Sequence, residues 1–154
     1  IVNYFPSITD TCIQQGLNNL QNNTGFFGRI QVVQRDPLVI FDVSHNYDGV
    51  KATLDYVTTL VEGELYILYG SSSDKDVFPI VELFPEAAHI NLTTFNNQRS
   101  LSRQQLDEIA LITKKNVNIH ENASIALENI RSSIKKEDTI LVFGSFFLLS
   151  DLMK

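Results

Sequence analysis

Asp42, Ser44, His45 and Asn46 stand close together, directly after the apolar run of residues 38–41. A carboxylate at the end of a buried strand can accept two hydrogen bonds from a ribose diol, as at other α/β nucleotide sites. Aspartate equally favours a helix N-cap, so a purely local role stays open. His45 is a candidate for positioning a nucleotide or a reacting acyl group, and Asn46 reads most simply as an N-cap. Arg29 precedes the first strand, and its permanently charged guanidinium has a fork that matches phosphate oxygens. A surface arginine paired with a carboxylate is the plainer alternative. Lys75, in the polar stretch 70–76, offers its ammonium to a substrate carboxylate or only to solvent. Ser145 follows Gly144 after the last apolar run, where helix amides favour a carboxylate and serine is also a good cap.

Other chemistries lack their residues. The serines of 70–76 miss the glycine spacing and Lys-Ser/Thr ending of a P-loop, and no G-x-S-x-G elbow is present. His89 and His120 fall in segments unrelated to His45, so no metal site is expected. Cys12 lies on an apolar helix face without a nearby histidine and reads as a packed residue.

The elements that must hold these residues alternate. Residues 30–34 read as a strand, Asp36-Pro37 as a turn, and 38–41 as a strand buried on both faces. A helix over about 46–61 carries Val50, Leu54 and Val57 inward and stops at Gly63. Further strands are expected at 65–69, 87–92, 116–119 and 139–143. Between them run helices over about 76–84, from a cap at Ser102, and from a cap at Asn122. Pro79 fits a first helical turn. Repeated strand–helix units imply an α/β fold with a Rossmann-like, mostly parallel, right-handed doubly wound sheet flanked by helices. Asp42, the 70–76 loop and Ser145 then share the C-terminal edge of the sheet, where ligands bind in such folds. Residues 1–24 differ: Ser7 is placed to cap an apolar-faced helix through Ile8, Cys12, Ile13, Leu17 and Leu20, and 22–25 read as a stop.

The totals narrow the classes. The chain has 154 residues, enough for one core, and its net charge of −6 argues against a nucleic-acid footprint. No basic run suggests a membrane surface, and no apolar stretch reaches the roughly 20 residues that span a bilayer. One cysteine excludes an internal disulfide and fits a reducing, cytoplasmic setting. The first residue is Ile, which suggests a fragment or a processed product.

The ordered set Gly28-Arg29, a short hairpin, an apolar strand ending Asp42-Val43-Ser44-His45-Asn46, and a late Phe143-Gly144-Ser145-Phe146 resembles the C-terminal domain of folylpolyglutamate synthase/dihydrofolate synthase, in the Mur ligase superfamily. The resemblance runs from about residue 12 to the end. Ser44 and Tyr47 depart from it, standing where alanine and proline are common. It implies a Mur ligase C-terminal (glutamate ligase) domain at 26–154, with 1–25 the terminal helix and linker of a preceding ATPase domain. It implies an ATP-dependent ligase that joins L-glutamate to folate or dihydropteroate through an acyl phosphate. On it, Arg29 reaches ATP phosphate, Asp42 contacts nucleotide, His45 is the catalytic positioning group, and Lys75 and Ser145 hold glutamate. The Mg2+ ligands and the P-loop belong to the preceding domain, so this chain alone is expected to be inactive. Another Mur-type ligase, or a non-catalytic nucleotide- or metabolite-binding module, would share these features.

Overall fold

The computed structural model describes residues 4–5 and 7–154. Six strands form one sheet in the order β1-β2-β6-β3-β4-β5, where β1 is Gln31–Arg35, β2 Leu38–Asp42, β3 Leu65–Tyr69, β4 His89–Thr93, β5 Val117–His120 and β6 Thr139–Phe143. Only β1 runs antiparallel, against β2 at one edge; the other pairings are parallel. The Rossmann-like, mostly parallel α/β sheet expected from the alternating pattern is therefore the fold.

Strand composition follows from burial. In β2, β6 and β3, successive side chains point into two separate cores. Ile40, Leu141, Phe143, Ile67 and Tyr69 enter one, and Val39, Phe41, Ile140, Val142 and Leu68 the other. A strand covered on both faces has no polar side, which is why these segments read as unbroken apolar runs. The first core is closed by α3 (Tyr47–Val57), α4 (Phe78–Glu82) and α5 (Arg103–Ile112). The second is closed by α6 (Ala123–Ser133) and α7 (Phe146–Leu152). The split has a topological cause: β2, β3, β4 and β5 advance across the sheet, whereas β5 to β6 runs back. Right-handed crossovers place outbound and returning helices on opposite faces.

Helix ends largely follow the caps read from the sequence. Asn46 accepts from Gly49 N–H at 2.8 Å, and Asn122 from Ile125 N–H. Ser102 forms a full capping box with Gln105. α3 ends at Val57, before a short 3-10 turn at Thr58–Leu60. At the N-terminus the cap is Thr9 rather than Ser7. The helix divides at Asn19 into α1 (Asp10–Asn18) and α2 (Leu20–Thr24), with Gly25 left-handed at its end. Neither piece buries a residue. Cys12 is accordingly exposed, not packed, because no described residue covers the face that carries it. The Thr9 hydroxyl beside it lowers its thiol pKa.

Candidate functional site

β6 sits between β2 and β3, in register with both, so Asp42 and Tyr69 each lie beside Phe143. The loops leaving these strands thus open side by side at one sheet edge. This is the position at which open α/β sheets bind ligands.

The first loop is organised by Asp42, which is 2% exposed. One carboxylate oxygen accepts from Ile30 N–H at 2.9 Å. The other accepts from Ser44 N–H at 2.7 Å and from the Thr53 hydroxyl at 3.2 Å. A carboxylate has about four acceptor positions, so roughly one remains for anything else. Asp42 does not cap α3, which Asn46 does. It ties the Arg29 turn to the end of β2. That turn is tight: Ile30 has φ of 46°, a conformation that β-branched residues avoid. A β-carbon on Gly28 would meet Val43 Cγ1 at 2.6 Å. Arg29 is exposed, with its guanidinium carbon 5.9 Å from the Phe26 ring centroid. Arg29, Asp42, Ser44, Gly49, Thr53 and Tyr56 line an open cleft of about 310 Å³.

A second cleft of about 200 Å³ brings together His45, Lys75 and Ser145, with Ser72, Arg99 and Phe147. The His45 Nδ1 lies 3.0 Å from Val43 O. In the neutral ring this bond holds the proton on Nδ1 and leaves Nε2 as the acceptor. Ser145 is buried and caps α7, accepting from Phe147 N–H at 3.2 Å. Lys75 is exposed, with Nζ 3.7 Å from Asp74. Arg99 reaches the same Asp74 oxygen at 3.2 Å and lies over the Phe147 ring. Desolvation pushes the Asp74 carboxyl up, but a backbone hydrogen bond and the charges of Arg99 and Lys75 hold it below its ordinary value.

The sequence-derived candidates therefore separate into neighbouring groups. Arg29 and Asp42 line one cleft; His45, Lys75 and Ser145 line the other; Ser44 and His45, adjacent in sequence, stand one on each side. Reading the sequence passed over Arg99, Thr53 and Tyr56. Arg99 had a signal: it follows the third parallel strand at the same edge, as Lys75 follows the second. Thr53 and Tyr56 lie within a helix whose facing was visible only for its apolar positions. Among the described residues, no three His, Cys, Asp or Glu side chains converge in a way that could hold a metal ion.

Residues 28–146 match the family described as Mur ligase, glutamate ligase domain. The chain belongs to this family. A dihydrofolate synthase/folylpolyglutamate synthase of Buchnera aphidicola from Schizaphis graminum is 33% identical over 133 residues, spanning 82% of this chain and 30% of its relative. A diaminopimelate-adding ligase of Prochlorococcus marinus, acting on UDP-N-acetylmuramoyl-L-alanyl-D-glutamate, is 28% identical over 142 residues, or 81% of this chain and 27% of that protein. Among solved structures, the bifunctional folylpolyglutamate synthase/dihydrofolate synthase of Yersinia pestis, complexed with AMPPNP and Mn ion, superposes with a TM-score of 0.77 at 25% identity. It is matched over 94% of this chain and 34% of its own. This Mur ligase domain thus spans about a third of the length of such relatives. No helix among its described residues is long and apolar enough to cross a membrane.

Proposed function

We propose that this chain is the glutamate-adding domain of a longer, cytoplasmic ATP-dependent ligase that extends folate or dihydropteroate with L-glutamate. The observation that carries this reading is the pair of adjoining clefts. One has a guanidinium at its wall, and the other has two cations, an imidazole acceptor and a helix cap. Their arrangement suits a phosphate beside an acidic amino acid.

ATP, when bound, supplies the phosphoryl group that activates the acceptor carboxylate as an acyl phosphate. Arg29 fits the phosphate side: it is exposed, forked and set on a turn that Asp42 pins through Ile30. Asp42 has little capacity left for a ribose, so its main part is to hold Arg29 and the Ser44–His45 loop in place. His45 presents Nε2 towards the second cleft as an acceptor that orients the incoming amine. Lys75 and Arg99 take carboxylates, and Ser145, bound through Phe147 N–H, shapes the floor beside them. Such a reaction needs aligned partners and charge stabilisation rather than a protein nucleophile. The described residues offer no set that fits Mg2+, and its ligands fall to a preceding ATPase domain. The uncovered α1 and α2 support reading residues 1–25 as the terminal helix and linker of that domain, and 26–154 as the ligase domain.

Calorimetric titration with ATP tests the proposal. The isolated chain should bind in the millimolar range or too weakly to resolve, about −4 kcal/mol at most. Supplying the preceding domain should restore glutamate addition, and Arg29→Ala should abolish it. Tight ATP binding with hydrolysis by this chain alone would overturn the half-site reading. Addition of diaminopimelate in place of glutamate would move it to another Mur-type ligase.

A further inference from the structure

The loops bearing Lys75 and Arg99 are joined by their backbones. Ser73 N–H donates to Arg99 O at 2.8 Å and Leu101 N–H to Ser71 O at 3.0 Å, around an antiparallel bridge between Ser72 and Ser100. This clip brings two positive charges to one small cleft, where they repel each other. Asp74 answers that repulsion. A single oxygen lies 3.2 Å from the Arg99 guanidinium and 3.7 Å from the Lys75 ammonium. Asp74 itself does not line the cleft. It therefore holds both cations without itself lining the cleft that they line.

We infer that Asp74 is a positioning residue for amino-acid binding: it holds the Lys75–Arg99 pair ready to receive the two carboxylates of an acidic amino acid. This inference rests on the proposed use of the second cleft. Both side chains are long and about half exposed, so unaided they would lose rotamer freedom when a ligand is bound. Asp74 meets that cost before the ligand arrives. Its own charge opposes the ligand less, because Asp74 is half exposed, does not line the cleft, and is screened by water.

The experiment is titration of the 154-residue chain with L-glutamate, followed by amide and Arg side-chain NMR shifts, with thermal melting of each variant alongside. Asp74→Ala should raise the Kd about fivefold with an unchanged Tm. Asp74→Asn, which keeps an acceptor for Arg99 without the charge, should fall between wild type and Asp74→Ala. Rescue of that kind is not expected if the residue only stabilises the fold. Unchanged or tighter binding in Asp74→Ala would overturn the inference, and tighter binding in both variants would make Asp74 a competing counter-ion. Lys75→Ala and Arg99→Ala separate the two readings. If neither weakens glutamate binding, the cleft assignment has failed. If both do while Asp74→Ala does not, only the role of Asp74 has failed.

Discussion

Asp42 and Asp138 show how a buried carboxylate ties separate segments together through hydrogen bonds. Asp42 joins three donors from three segments: the Arg29 turn, the loop after β2, and α3. Asp138 joins two segments at the opposite, N-terminal edge of the parallel strands. Its two oxygens accept from Glu64 N–H at 2.8 Å and Lys135 N–H at 2.7 Å. Those two bonds, aided by the Lys135 and His89 charges, hold its pKa below the ordinary 3.8, against the opposing effect of desolvation. The folded state therefore binds this proton less readily than the unfolded chain. Asp138 contributes its full stability above about pH 3.8 and loses it as pH falls from there through the folded-state value. Acid unfolding followed by circular dichroism should show a shallower acid limb in Asp138→Asn, together with lower stability at pH 7. The residue chemistry of Asp42 was visible in the sequence, but its donors were not. Ile30 and Thr53 lie in other elements, and only folding brings them to it.

At the scale of elements, the turn from β6 to α7 is the tightest constraint on the site. Gly144 has φ of 114°, and a β-carbon there would stand 2.5 Å from the Tyr69 ring and 2.6 Å from Gly70 O. Those neighbours cannot yield easily. Tyr69 is wedged against Phe84 and Phe143, and burial pushes its hydroxyl pKa up to about 12. Gly144→Ala should lower stability by about 1–3 kcal/mol in urea unfolding, from backbone strain and overpacking together. It should also displace Ser145 and widen the second cleft. The elements themselves were legible because their signals are local. β3 and β6 have the bounds their apolar runs suggested, and Asn46, Ser102 and Asn122 cap as short-range chemistry predicts. Ser7 misled because it and Thr9 are both good caps, and the Thr9 hydroxyl is the one that accepts from Cys12 N–H.

For the whole molecule, the two apolar cores lie on either side of the sheet, and no residue of α1 or α2 belongs to either. Ile13, Leu17 and Leu20 remain exposed. Removing residues 1–24 should therefore change the unfolding free energy by less than about 1 kcal/mol, since no residue of either helix is buried. A larger loss in denaturant melts would mean that this segment packs on the domain in solution. Thermal melting with and without the preceding domain then reads the segment's proposed role directly, because an interface that covers it should raise the Tm.

The sequence by itself determined the class of fold, since strands buried on both faces and helices with one apolar stripe leave few ways to satisfy burial. It also marked most of the candidate residues, through residue type and place at strand ends. Only the tertiary structure decided how those residues are grouped. Inserting β6 between β2 and β3 sets Ser145 beside His45 and Lys75, brings Arg99 to them from another loop, and leaves Arg29 with Asp42 in a cleft of their own. Strand order comes from long-range pairing energies summed over the whole sheet, and no local pattern carries that sum.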